Sequence, residues 1–112
     1  MRNPSEHQEQ AAVVAWLEAH NVEFFAVPNG GRRDARQAST LKAEGVRPGV
    51  ADLIIVRTPP LALEMKARIG GRVSPAQAAW GQRVSARGWV WHVSPGAEDA
   101  IAWLVKTGVG RG

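Results

Sequence analysis

The sequence predicts an α/β fold in which a mixed central sheet of about four strands is flanked by helices. Three observations carry that prediction. Residues 49–67, GVADLIIVRTPPLALEMKA, hold two short runs of apolar residues parted by Arg57, Thr58, Pro59 and Pro60, the pattern of a strand hairpin. Residues that share one helical face recur on either side of it, at Val13, Trp16, Leu17 and His20 and again at Gln77, Trp80 and Val84. Further strand-like segments, EFFAV and WVWHV, precede and follow the hairpin.

Taken in order, the chain opens with Pro4 and with Ser5 as the N-cap of a helix that runs to about His20, and Gln8 completes a capping box. Its first turn carries Glu6 and Glu9. Acidic residues there are favoured by the helix dipole, and a carboxylate in that place can also lean over the end of the sheet. Residues 23–27 form a strand ended by Pro28, and Asn29, Gly30, Gly31, Arg32 and Arg33 follow as a loop. Such a loop suits a phosphate backbone, and it also suits a plain turn. Asp34 caps a short helix that carries Arg36, Leu41 and Lys42 and ends at Gly45; Arg47, Pro48 and Gly49 then lead into the hairpin. Beyond the hairpin, a glycine-rich loop holds Arg68 and Arg72. Ser74 as N-cap and Pro75 as first helical residue start a helix that stops at Gly88, with Arg83 and Arg87 outward. After the strand at residues 89–93, Ser94, Pro95 and Gly96 introduce a last helix, residues 97–106, with Ile101 and Leu104 facing inward. The prediction is a single domain over residues 1–107 and a frayed glycine-rich tail over residues 108–112.

A chain of 112 residues is long enough for a core without staples. With no cysteine, disulfides, thiolate metal sites and a cysteine nucleophile are excluded. No apolar run of membrane-spanning length and no signal-peptide pattern is present, which predicts a cytoplasmic protein. The net charge of +4 points to a polyanionic partner. Between Asn29 and Arg47 five basic residues stand against two acidic ones, so that segment is expected to lie along a nucleic-acid strand.

The hairpin carries the chemistry. Strand alternation puts Glu64 and Lys66 on one face and Leu63 and Met65 on the other, and a turn centred on Thr58 sets Asp52 opposite Glu64. Two facing carboxylates repel unless a cation lies between them. A hard divalent ion prefers such oxygens and retains waters, and Lys66 stands one pleat away to stabilise charge on a phosphate. A surface hairpin with a weak Glu-Lys pair carries the same E-x-K letters. Asp52 ahead of the first arm separates the two. Gln77 faces inward near the hairpin's end, where a glutamine either satisfies backbone groups or joins the site.

These residues resemble the PD-(D/E)xK nuclease superfamily and, within it, the stand-alone phage-type VRR-NUC domain. The matching stretches are SEHQEQ, PNGGRR, LKAEGVRPGVADL, LEMK and GGRVSPAQAAW. The resemblance implies a restriction-endonuclease-like fold of order α-β-β-β-α-β and a Mg²⁺- or Mn²⁺-dependent DNA endonuclease of phage or bacterial origin. It implies Asp52, Glu64 and the backbone carbonyl of Met65 as metal ligands and Lys66 as the catalytic lysine. Glu6 is implied as the first-helix acid in preference to Glu9, and Gln77 as the helix glutamine beside the site. Asn29, Arg32, Arg33, Arg36, Lys42, Arg47, Arg68 and Arg72 are the expected nucleic-acid contacts. Ala51 departs from the pattern, since the family usually has proline before this aspartate.

Stand-alone members act on branched DNA, and a four-way junction has two-fold symmetry. A homodimer that acts as a Holliday junction resolvase is therefore expected, with surplus tryptophan on one face, from the five in the chain, marking its interface. The alternative is a non-catalytic nucleic-acid-binding module with the same fold. A hydrolase of small phosphorylated molecules is disfavoured, because no G-x-x-x-x-G-K loop is present.

Overall fold

The computed structural model describes residues 4–28 and 34–110. Its elements are α1 (Glu6–Ala19), β1 (Phe24–Ala26), α2 (Ala35–Ala43), β2 (Leu53–Ile55), β3 (Leu61–Lys66), α3 (Pro75–Ser85), β4 (Val90–Pro95) and α4 (Ala97–Lys106). The strands lie in the order β1-β2-β3-β4. The first three are antiparallel, and β4 runs parallel to β3, a pairing that needs a crossover, which α3 supplies. This is the mixed, helix-flanked sheet expected from the sequence.

Local chemistry sets the helix starts. Ser5, Asp34 and Ser74 each accept the backbone N–H of a glutamine three residues on, and that glutamine's side chain reaches back to the cap's own N–H. Alternation along the strands then sorts the core into two layers. Leu53, Ile55, Leu61, Leu63 and Met65 face α1 and α4, where Val13, Leu17, Ala100 and Leu104 close over them. Each of the large side chains buried there stabilises the fold by about 1.5–3 kcal/mol. Ile54 and Ala62 point the other way, with Ala51, toward Trp80, Trp89 and Trp91, and this second layer is covered by α3.

Three expectations are corrected. His20 is exposed at the end of α1, stacked on Trp16 and donating from Nδ1 to its carbonyl, because the helix has by then passed the edge of the core. Of the tail expected to fray over residues 108–112, residues 108–110 turn back instead, where Val109 donates its N–H to the Leu104 carbonyl and is buried against the main core, and residues 111 and 112 lie outside the described residues. Tryptophan forms no exposed patch, since all five rings are half-buried. The apolar surface that remains open on the α3 side is Phe25 and Val56, each 51% exposed, at the β1 edge of the sheet.

The second helix stands apart. None of its residues is buried, and it is anchored by half-buried Leu41, which with Val27, Pro28, Val46 and Val50 lines a cleft of about 250 Å³. The radius of gyration, 14.5 Å against about 13 Å for a compact chain of this length, reflects that outlying arm. Among the described residues no helix is long and apolar enough to cross a membrane.

Candidate active site

Leu53 pairs with Leu63, so Asp52, one residue before β2, faces Glu64 across the ladder. This is the register expected for a turn centred on Thr58. Both residues follow the alternation of Ile54 and Ala62, and so lie on the α3 side of the sheet. Glu6 reaches them from the first turn of α1, and the three residues offer carboxylate oxygens that all lie within 4.8 Å of one another. One Asp52 oxygen, Oδ2, accepts the Met65 N–H at 2.8 Å, which fixes that carboxylate against β3. The Met65 side chain is buried in the opposite layer.

Glu64 is only 1% exposed. Its Oε2 accepts from Gln77 Nε2 at 3.2 Å and lies 3.6 Å from Lys66 Nζ. Its Oε1 is buried with no partner. Burial above all, then the hydrogen bond and charge of Asp52 and the charge of Glu6, push the Glu64 carboxyl up to about 8, while Lys66 pulls it down. A buried carboxylate oxygen without a partner is costly, and a cation among the three carboxylates relieves both that cost and their repulsion. Such an all-oxygen donor set fits Mg²⁺ or Mn²⁺.

Lys66 and Gln77 complete the cluster. Lys66 Nζ donates to Gln77 Oε1 at 2.8 Å, and the same oxygen accepts the Ser74 N–H at 2.9 Å. Gln77 therefore does both things the sequence left open: it caps α3 and bridges Lys66 to Glu64. The capping box Ser74-x-x-Gln77 is legible from spacing alone, as a serine followed three residues on by a glutamine.

The two first-turn acids of α1 part company. Glu9 is buried and absent from the carboxylate group; it accepts from Arg68 Nε and Nη2, each at 3.2 Å, and from the Ala97 N–H at 3.2 Å. The Arg68 hydrogen bonds hold its carboxyl below the usual range, helped by the Ala97 N–H and opposed by burial. Gly96, the N-cap of α4, offers no side chain, so Glu9 caps that helix from across the molecule. A Cβ on Gly96 would lie 2.9 Å from Glu9 Oε2, which leaves room only for glycine. Arg68, expected as a nucleic-acid contact, has two of its nitrogens committed to Glu9.

Of the other expected nucleic-acid contacts, Asn29, Arg32 and Arg33 lie outside the described residues. Arg36, Lys42, Arg47 and Arg72 are exposed. Ala51 is fully buried, and the start of β2 is held by the Val27 N–H, which donates to the Asp52 carbonyl at 2.9 Å. Backbone pairing thus fixes Asp52 with Ala51 before it.

No family model matches the sequence, and no curated protein matches it. Among solved structures, one described as a VRR_NUC domain protein matches with a TM-score of 0.81 at 20% identity, covering 95% of this chain and 89% of that one. The chain has the fold of a VRR-NUC domain, with the element order α-β-β-β-α-β around a mixed sheet, followed by α4, when the outlying α2 is set aside.

Proposed function

We propose that the chain is a metal-dependent DNA endonuclease, with Asp52, Glu64 and Glu6 as carboxylate ligands, the Met65 carbonyl beside them, and Lys66 as the catalytic lysine. The observation that carries this is the meeting of three carboxylates, from α1, the entry to β2 and β3, one of which, Glu64, has its Oε1 buried without a partner and an ammonium 3.6 Å from its Oε2. A divalent ion bound there supplies a water of lowered pKa and neutralises charge on the scissile phosphate. The protein's own part is positional. Gln77 holds Lys66 beside Glu64, and Lys66 offers its remaining protons to the phosphate oxygens as their charge grows. Hydrolysis by this route breaks the P–O3′ bond and leaves 5′-phosphate and 3′-hydroxyl ends.

Branched DNA is the substrate class this reading favours, with the chain acting as a homodimer on four-way junctions. The half-exposed Phe25 and Val56 at the short edge strand β1 support a two-fold contact, since an open apolar edge is a ready pairing surface. Flap, fork, four-way junction and linear duplex should be compared with Mg²⁺, with Mn²⁺ and in excess EDTA. Metal-dependent cleavage is expected, fastest on the junction. Binding without cleavage under every condition would leave the non-catalytic module. Light scattering at micromolar concentration should give a dimer mass, and a monomer with and without junction DNA would end the dimer reading.

A further inference from the structure

A wide cleft lies between α2 and the chain that leads into β2. It holds about 480 Å³, within the roughly 300–1,000 Å³ of small-molecule sites. Ala38, Leu41, Val46 and Pro48 give it an apolar lining, and Lys42 and Arg47 give it two cations. No acidic residue lines it. Arg47 Nη1 reaches the Lys42 carbonyl at 3.5 Å, which draws both cationic residues to the same end of α2.

Gly49 closes the cleft on the catalytic side, and its position is fixed. With φ at +81° it is left-handed, and a Cβ there would run into the Ala76 carbonyl, so the loop sits directly on the first turn of α3, one residue from Gln77. Gly49 is also three residues from Asp52, a reach of at most about 10 Å along the chain. Stacked nucleotides rise about 3.4 Å each, so a strand with its scissile phosphate at Asp52 brings a nucleotide no more than about three steps away to the cleft.

We infer that this cleft is a subsite for one unpaired nucleotide of the substrate strand, its base on the apolar lining and the Arg47 guanidinium plane and its phosphate on Lys42. The inference rests on the nuclease reading above and deepens it. A stacked, paired base cannot enter a cleft of this kind, whereas bases splayed from a duplex are taken up on apolar, aromatic and Arg surfaces. The subsite therefore gives a reason for preferring branched or frayed DNA that does not depend on dimer symmetry. It selects local unpairing close to the cut.

The test walks a 2-aminopurine along each strand of a forked duplex and reads its fluorescence on binding the full chain in Ca²⁺. Cut sites are mapped separately in Mg²⁺. A rise at a position two or three nucleotides from the cut is expected. It should vanish in Ala38→Trp, which fills the cleft from an exposed helix position, and in Lys42→Glu, both checked for a wild-type melting curve. Ala38→Trp should also slow cleavage at a fork about tenfold, on the scale of one lost base-stacking contact. If wild-type protein cleaves but no position brightens, or if both variants brighten as wild type does, the subsite is overturned and the nuclease reading stands. If nothing is cleaved with any metal, the nuclease reading falls, and the fluorescence walk still decides whether the cleft takes a base.

Discussion

Glu64 and Lys66 lie two residues apart on one face of β3, 3.6 Å from carboxylate oxygen to ammonium, and neither is left to water. A pair of this kind on an exposed strand is worth little. Here burial, the facing Asp52 and the bridging Gln77 turn it into a poised cluster. Glu64→Gln keeps the shape of the side chain and removes its charge, so the fold should survive while cleavage falls by about 10³-fold or more. Asp52→Ala and Lys66→Ala should behave likewise, read as initial rates on labelled DNA with Mg²⁺. Wild-type rates for Asp52→Ala would remove the site.

Acid and base should affect stability through different residues. The raised Glu64 carboxyl keeps its proton in the folded chain up to about 8, whereas the unfolded chain releases it near 4.5. The folded state then binds more protons across that window, so metal-free protein loses stability as pH rises from 4.5 toward 8. Melting curves in EDTA should show this decline, and Glu64→Gln should flatten it. Mg²⁺ or Mn²⁺ should reverse it, because the bound ion favours the ionised carboxylate.

The Glu9 contribution has the opposite sign. Its lowered carboxyl gives stability that is present above the ordinary value of 4.5 and is lost as pH falls through the folded-state value. Glu9→Ala removes the cap of α4 and strands the Arg68 contact, at a cost of about 2 kcal/mol. At temperatures where both variants are folded, Glu6→Ala should lose more cleavage than Glu9→Ala. The reverse order would exchange their roles.

Arg32 and Arg33 precede Asp34, the cap of α2, in sequence, while Arg68 is already engaged with Glu9. Replacing both Arg32 and Arg33 with alanine should lower the slope of log affinity against log salt by about one to two units, equally for all sequences. Arg68→Ala should change the slope less and the melting temperature more. Titrations at several salt concentrations separate the two.

The hairpin, its register and the facing of Asp52 and Glu64 were legible because alternation and a proline turn leave one pairing that buries Leu53, Ile55, Leu61 and Leu63 together. Glu6 and Glu9 were not separable on the same footing. They sit three residues apart in one helical turn, and what distinguishes them is the Ala97 N–H, eighty-eight residues from Glu9 in sequence. The tail misled for a related reason. Gly108 and Gly110 read as slack, but they serve a turn whose purpose appears only once Leu104 and the core are in place.

The long tie between Glu9 and Ala97 also bears on how the third carboxylate is placed. Glu6 rides on α1, which rests on β3 and α4 and is tied by Glu9 to the start of the last helix. A nascent chain that ends short of α4 has both hairpin carboxylates but no docked third one. Contacts of such long range close late. On the nuclease reading, a chain truncated before α4 is expected to show no metal-dependent cleavage, measured beside the full chain on the same DNA.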